Sequence, residues 1–299
     1  MMKKTSLITS VAVIASLGLV GCGGGSGGSG DTAAASSVST TSISGTAIDP
    51  ELVGATVCLD LNQDENCTSD EPSATTDGNG NFSLNVSTMQ LEGSAPLVAM
   101  NGVDKESGEA FKNKLMADVN STKQNITPLT TLAYEKIKEN MDKGLTNVQS
   151  GMTAIQDTLG LTSEEMQANM IALANEGNTT ALKVALVLQK SAEAIDPSDT
   201  LKFYKEFSQE IDTSKPMALL DSLMKVTPTT LKADVILLAK NILDSNVTDP
   251  YALAEEARMK AAELGIDQDE MPNDGDMPDD GDMPNNGDMP NDGKMPSMP

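Results

Sequence analysis

Histidine and tryptophan are absent from the 299 residues, and the aromatic side chains come to four Phe and three Tyr. Without an imidazole, a Ser-His-Asp triad, a Cys-His pair and a histidine-held zinc site are all excluded. So few rings mean that a core must be built mainly from Leu, Ile, Val, Ala and Met. Cationic side chains are scarce as well: 20 Lys and Arg stand against 44 Asp and Glu, a net charge of −24. A chain this acidic repels nucleic acid and anionic lipid, and its favoured charged ligands are cations and basic partners. Catalytic signatures do not stand out either, whether a Gly-x-Ser-x-Gly elbow, a phosphate loop or a Ser-x-x-Lys. Acid pairs such as Glu164-Glu165 and Glu255-Glu256 read as helix surface rather than as a glycosidase cleft. The chain is expected not to be an enzyme.

What is present begins with an address. Met1-Met2-Lys3-Lys4 is a short basic stretch, followed by an apolar run from Leu7 to Val20. That run falls short of the ~20 residues a helix needs to cross a bilayer, and it reads as a signal peptide over residues 1–21. The motif Leu19-Val20-Gly21-Cys22 resembles the lipobox of bacterial lipoproteins. The resemblance implies cleavage before Cys22 and a diacylglyceryl group on its thiol, so that the membrane becomes a partner through the lipid. Two or three acyl chains suffice for stable anchoring, at roughly 0.8 kcal/mol per buried CH₂. Gly23, where enteric lipoproteins retained at the inner membrane carry Asp, implies an outer-membrane destination by the same analogy. Removing residues 1–21 takes away Lys3 and Lys4 and no acid, so −24 becomes −26. With Cys22 assigned to lipid, Cys58 and Cys67 are left as an even pair. Outside the cytoplasm they are expected to form a disulfide, which across so short a loop contributes very roughly 2–3 kcal/mol.

Residues 22–41 are Gly/Ser-rich and then Ala/Ser/Thr-rich. Such a tether reaches on the order of 25 Å. Residues 42–124 carry strand signals at Ser44–Ile48, Ala55–Leu59, Asn81–Val86 and Pro96–Met100, separated by Gly, Asp, Asn and Pro turns. Phe82, Leu84 and Val86 alternate onto one face, and a small antiparallel β-sandwich is the natural reading. Residues 125–266 change character from Thr127-Pro128 onward. Seven or eight helices are expected there, with a capping box at Thr162 and Glu165, and Asp-Pro starts at Asp196-Pro197 and Asp249-Pro250. Apolar spacing over Thr180–Ile195, Leu201–Ile211 and Leu231–Leu243 fits helices with one buried face. The fold class is therefore α+β, with an all-α part after the β part. Residues 267–299 contain a hexamer repeated as Met-Pro-Asn-Asp-Gly-Asp and its variants. Proline every six residues builds no core, and a disordered acidic tail is expected.

The most specific local pattern is Asp60-Leu61-Asn62-Gln63-Asp64-Glu65-Asn66-Cys67-Thr68-Ser69-Asp70-Glu71. Asp60, Asn62 and Asp64 fall at positions 1, 3 and 5 of a twelve-residue calcium loop, Asn66 at 7 and Glu71 at 12, with Asp70 beside it. Oxygen ligands at alternating positions let a loop curl around the ion. Glu65 departs from the pattern, because position 6 normally takes Gly for a left-handed turn, at a cost on the order of 1 kcal/mol for any other residue. Five carboxylates in twelve residues, with no nearby Lys or Arg expected to neutralise them, favour a cation, and calcium of weak to moderate affinity is the expected ligand. The alternative is a polar turn loop whose acids are merely solvated.

Gly54-Ala55-Thr56-Val57-Cys58-Leu59-Asp60 through Asp64, Asp70-Glu71-Pro72, and Thr76-Asp77-Gly78-Asn79-Gly80-Asn81-Phe82-Ser83-Leu84 look like the prealbumin-like repeats of bacterial surface proteins. They are similar to carboxypeptidase regulatory-like and SdrD B-type domains. The resemblance covers roughly residues 42–100. It implies a transthyretin-like sandwich with a structural or adhesive role, stabilised by calcium in the B-type relatives. Ile126-Thr127-Pro128-Leu129-Thr130-Thr131-Leu132 resembles the junction in many such lipoproteins. The sequence thus points to a membrane-anchored structural or binding module with a cationic or surface partner. A second reading makes it a metal-handling lipoprotein, because Met271, Met277, Met283, Met289, Met295 and Met298 offer soft thioethers to Cu(I) and the Asp-Gly-Asp units offer oxygens to divalent cations.

Overall fold

The computed structural model describes residues 39–49, 51–91, 95–119, 121–144, 148–212 and 214–266. The signal peptide, Cys22, most of the tether and the Met-Pro tail lie outside the described residues. Antiparallel strands come first and helices follow, the α+β order expected.

The strands are β1 (Thr40–Thr46), β2 (Leu52–Val53), β3 (Thr56–Leu59), β4 (Ser73–Thr75), β5 (Asn81–Ser87), β6 (Leu97–Met100), β7 (Val103–Asp104) and β8 (Lys114–Ala117), with a one-turn helix α1 (Thr88–Leu91) after β5. β1 pairs with β5 and β2 with β7, while a four-stranded sheet runs β4-β3-β6-β8, all antiparallel. Phe82, Leu84 and Val86 of β5 do share a buried face. Across from them, Val57, Leu59, Leu97, Ala99, Leu115 and Ala117 of the four-stranded sheet join the same apolar cluster. Their neighbours Cys58, Val98 and Met116 point the other way, onto Tyr134 and Leu201 of the helical part. Period-two alternation therefore gives this sheet two buried faces, which is why its strands read as continuous apolar runs rather than as polar alternation.

The helices are α2 (Pro128–Asp142), α3 (Val148–Leu159), α4 (Ser163–Gln167), α5 (Met170–Asn175), α6 (Thr180–Ile195), α7 (Thr200–Glu210), α8 (Leu219–Val226), α9 (Lys232–Asp244) and α10 (Pro250–Glu263). That is nine after Thr127 among the described residues, one or two more than expected, because α4 and α5 are single short turns too brief to carry a periodicity. Thr162 and Glu165 form the expected capping box. Asp249 accepts from the Ala252 N–H at 2.8 Å with Pro250 in the first turn. Asp196 is a correction: it ends α6 rather than starting α7, and its carboxylate is held by Ser198 and Lys202 at 3.0 and 2.9 Å. The helix begins only at Thr200, after Asp199. Rings are few but concentrated, since Phe203, Tyr204 and Phe207 of α7 are among the largest fully buried side chains.

The junction motif has a physical role here. Thr127 and Thr130 cap each other at the start of α2. The Thr130 hydroxyl also donates to the Met116 carbonyl at 2.9 Å, and the Met116 N–H donates to the Thr131 hydroxyl at 2.9 Å. Met116 sits on β8, the edge strand, so the outward backbone groups of that edge are satisfied by α2. Just before it, residues 122–126 run parallel to β1: the Ser44 N–H donates to the Thr122 carbonyl and the Gln124 N–H donates to the Ser44 carbonyl, both at 2.9 Å. The approach is so close that a Cβ on Gly45 would stand 2.0 Å from the Gln124 carbonyl oxygen. Gly45→Ala should therefore push residues 122–126 off β1 and destabilise the fold by about 1–3 kcal/mol. Urea unfolding checks it, and an unchanged midpoint would mean that the segment yields without cost.

Candidate functional site

The loop from Asp60 to Pro72 connects β3 to β4, and the Cys58–Cys67 disulfide closes it, with 5.6 Å between the Cα atoms. Asp60 is fully buried. Its carboxylate accepts from the Asp64 and Glu65 N–H groups at 3.2 and 2.8 Å. Asn62 accepts from the Asp64 N–H at 3.0 Å, and its amide donates to the Asp64 carboxylate at 3.1 Å. Asp64 in turn accepts from the Asn66 N–H at 2.9 Å. Gln63 and Glu65 have φ of 58° and 61°, so Glu65 holds the left-handed conformation that position 6 of the spacing calls for.

The second half of the ligand set is arranged differently. Glu71 spans the loop, accepting from the Leu61 and Thr68 N–H groups at 2.8 and 2.9 Å. Asp70 is exposed, and the Asn66 side-chain oxygen takes a bond from Lys114 at 2.7 Å. Among the described residues no three acidic or thiol side chains converge as a metal-holding group. The fit to a cation is thus partial: Asp60, Asn62 and Asp64 are gathered in one turn, whereas Glu71 is committed to backbone donors.

The expectation that no cation neighbours this loop is corrected. Lys138 of α2 pairs with Glu65 at 3.0 Å and lies 5.7 Å from the Tyr134 ring, and Lys114 of β8 reaches Asn66. Both are distant in sequence, and the packing of α2 and β8 against β3 and β6 brings them in. Burial pushes the Asp60 carboxyl up, opposed by the Glu65 and Asp64 N–H bonds. Beneath the loop, burial raises Glu135 of α2 to about 7, with Lys138 pulling the other way and Glu65 adding to the rise.

A second feature was not legible in the sequence. A cavity of about 600 Å³ opens between the segment after β7, helix α6 and the end of α10. Asp49, which follows β1, forms part of its wall and is only 4% exposed. Neither carboxylate oxygen of Asp49 has a hydrogen-bond partner among the described residues. Burial pushes its carboxyl well up, helped by Glu193 and Asp104 and opposed by Lys190. The sequence gives no warning of this, because Ile48-Asp49-Pro50 reads as an ordinary polar turn after a strand. Nearby, Lys190 pairs with Glu193 at 2.8 Å and Arg258 grips Glu255 through two bonds of 2.8 Å.

No protein-family model, no curated protein and no solved structure matches this chain.

Glu135 yields a pH prediction. Its carboxyl titrates near 4.5 when unfolded and near 7 when folded. The folded state holds the proton more tightly, so this group's contribution to stability falls as pH rises from about 4.5 to 7. Glu135→Gln should remove that loss, leaving little change at pH 5 and a gain on the order of 2–3 kcal/mol at pH 8. Denaturant titrations at the two pH values measure it, and an equal effect at both would refute the assignment.

Proposed function

We propose that this chain is an exported lipoprotein, anchored through Cys22 to the outer membrane, that serves as a structural or ligand-binding module rather than as an enzyme. The Cys58–Cys67 disulfide carries the reading, because such bonds persist in oxidising compartments and the bond draws the odd cysteine, Cys22, apart from the pair. The strong negative charge, which keeps an anchored domain off anionic lipid, agrees with it.

In the same reading the β part is a transthyretin-like sandwich of the carboxypeptidase regulatory-like or SdrD B-type kind. Its support is that the β1–β5 pair and the four-stranded sheet share one apolar core. Calcium at the Asp60–Glu71 loop belongs to this proposal. The left-handed Glu65 and the gathered Asp60, Asn62 and Asp64 side chains favour it. Against it weighs the position of Glu71, which would have to give up its Leu61 and Thr68 N–H bonds to reach an ion. That exchange keeps the affinity low, in the range of about 10⁻⁴–10⁻³ M found for extracellular modules.

Two measurements test these parts separately. Cells fed an alkynyl fatty acid should label the wild-type chain and not Cys22→Ala, which should move to the soluble fraction; a labelled Cys22→Ala chain ends the anchor assignment. For calcium, an ion held at ten times its Kd should raise Tm by about 3–5 °C, reversibly with a chelator, and Asp64→Asn should lose the response. An indifferent Tm removes calcium from the account.

A further inference from the structure

The cavity beside Asp49 has the attributes of a binding site independent of the Asp60–Glu71 loop. Its volume of about 600 Å³ is that of a small-molecule pocket. Phe111, Leu186, Leu231 and Ile266 contribute apolar wall, so an organic body gains by entering. Asp49 on its wall carries a carboxyl that no described residue satisfies, and leaving such a group unmatched away from water is costly.

The remaining charges select the sign of the guest. Six acidic and three basic side chains line the cavity. Lys190 and Arg258 are each engaged with a carboxylate, Glu193 and Glu255, and no hydrogen bond from a described residue reaches the Asp49 oxygens. Glu193 and Asp104 add negative potential at Asp49, with Lys190 opposing them. An anion would be repelled. A neutral guest brings no charge, whereas an ammonium supplies three N–H groups and a positive charge that favours the ionised form of Asp49.

We propose that this cavity binds a small organic cation, an ammonium or guanidinium head drawn to the wall formed by Asp49, Asp104 and Glu193 with a short apolar body against Phe111, Leu186 and Leu231. Such a site suits an anchored acidic protein, whose field concentrates cations at its surface. It stands whether or not Cys22 carries lipid.

The test uses the full chain in detergent at constant ionic strength, with butylamine and cadaverine as probes and 1-butanol as the uncharged counterpart. Both amines should raise Tm saturably, by about 3–5 °C at ten times Kd, and the alcohol should give little. Asp49→Asn should fold, with its own Tm at or above that of the parent, and should lose the amine-dependent increment. Ala110→Trp, placed on an exposed position of the cavity rim, should reduce the increment by occlusion without touching Asp49. The proposal is overturned if neither amine gives a saturable increment, if alcohol and amine act alike, or if the increment survives in Asp49→Asn. Should Asp49→Asn fail to fold, Ala110→Trp decides, and an undiminished increment there overturns the proposal equally.

Discussion

The outward edge of β8 is closed by two threonine hydroxyls, and the rest of the arrangement hangs on that closure. Thr130 donates to the Met116 carbonyl and Thr131 accepts from the Met116 N–H. An open edge there would expose a backbone donor and acceptor to pairing with another chain. Closing it with side chains of the first turn of α2 does more than protect the edge. It sets the helix across the sheet, so that Tyr134 of α2 lies over Cys58, Val98 and Met116, the face the β core does not use. The four-stranded sheet thereby becomes an inner layer, with one apolar cluster on each side.

A sheet buried on both faces has a consequence for charge. Acids that sequence places at the ends of its strands are carried inward with them. Asp60 follows β3 and is fully buried, and the loop it opens answers by turning N–H groups of Asp64 and Glu65 onto its carboxylate. Two left-handed residues, Gln63 and Glu65, are the cost of that wrapping, on the order of 1 kcal/mol each. Lys138 from α2 and Lys114 from β8 then meet the loop's outer acid and amide. The disulfide between Cys58 and Cys67 holds the wrapped loop against Val98 and Met116.

What could be read in the sequence was whatever is decided by neighbours along the chain. The face shared by Phe82, Leu84 and Val86, the caps at Thr162 and Asp249 and the three long amphipathic helices depend on local spacing, and they were legible. β8 was not, since Lys114-Leu115-Met116-Ala117 contains no β-branched residue and alternates between two apolar faces rather than an apolar and a polar one. β4 is three residues of half-exposed edge, with nothing to announce it. Asp196-Pro197 mimics a helix start, yet Asp196 is already spent as the end of α6. For the loop, the ligand spacing and the left-handed sixth position were readable, while Glu71's commitment to Leu61 and Thr68 and the arrival of Lys114 and Lys138 depend on tertiary packing.

Three buried ionisable groups near the junction of sheet and helices show what packing leaves undecided. Lys136 is as buried as any, yet its ammonium meets Glu139 and the carbonyls of Ser208 and Ile211 at 2.8, 2.9 and 2.8 Å, closing the end of α7. Its burial is explained by what it holds together. Glu135, one residue earlier, faces the other way toward Glu65 and Lys138, and burial moves its titration to about 7. Asp49 has no donor at all among the described residues. If stability alone had shaped these positions, Glu135 and Asp49 would carry amides or apolar groups, because replacing an unpaired buried charge usually stabilises. The difference between Lys136 and Asp49 is that one ends in a closed set of acceptors and the other on the wall of a cavity. A buried carboxyl without an internal partner, on the wall of a cavity of about 600 Å³, is better understood from the side of whatever enters than from the side of the fold.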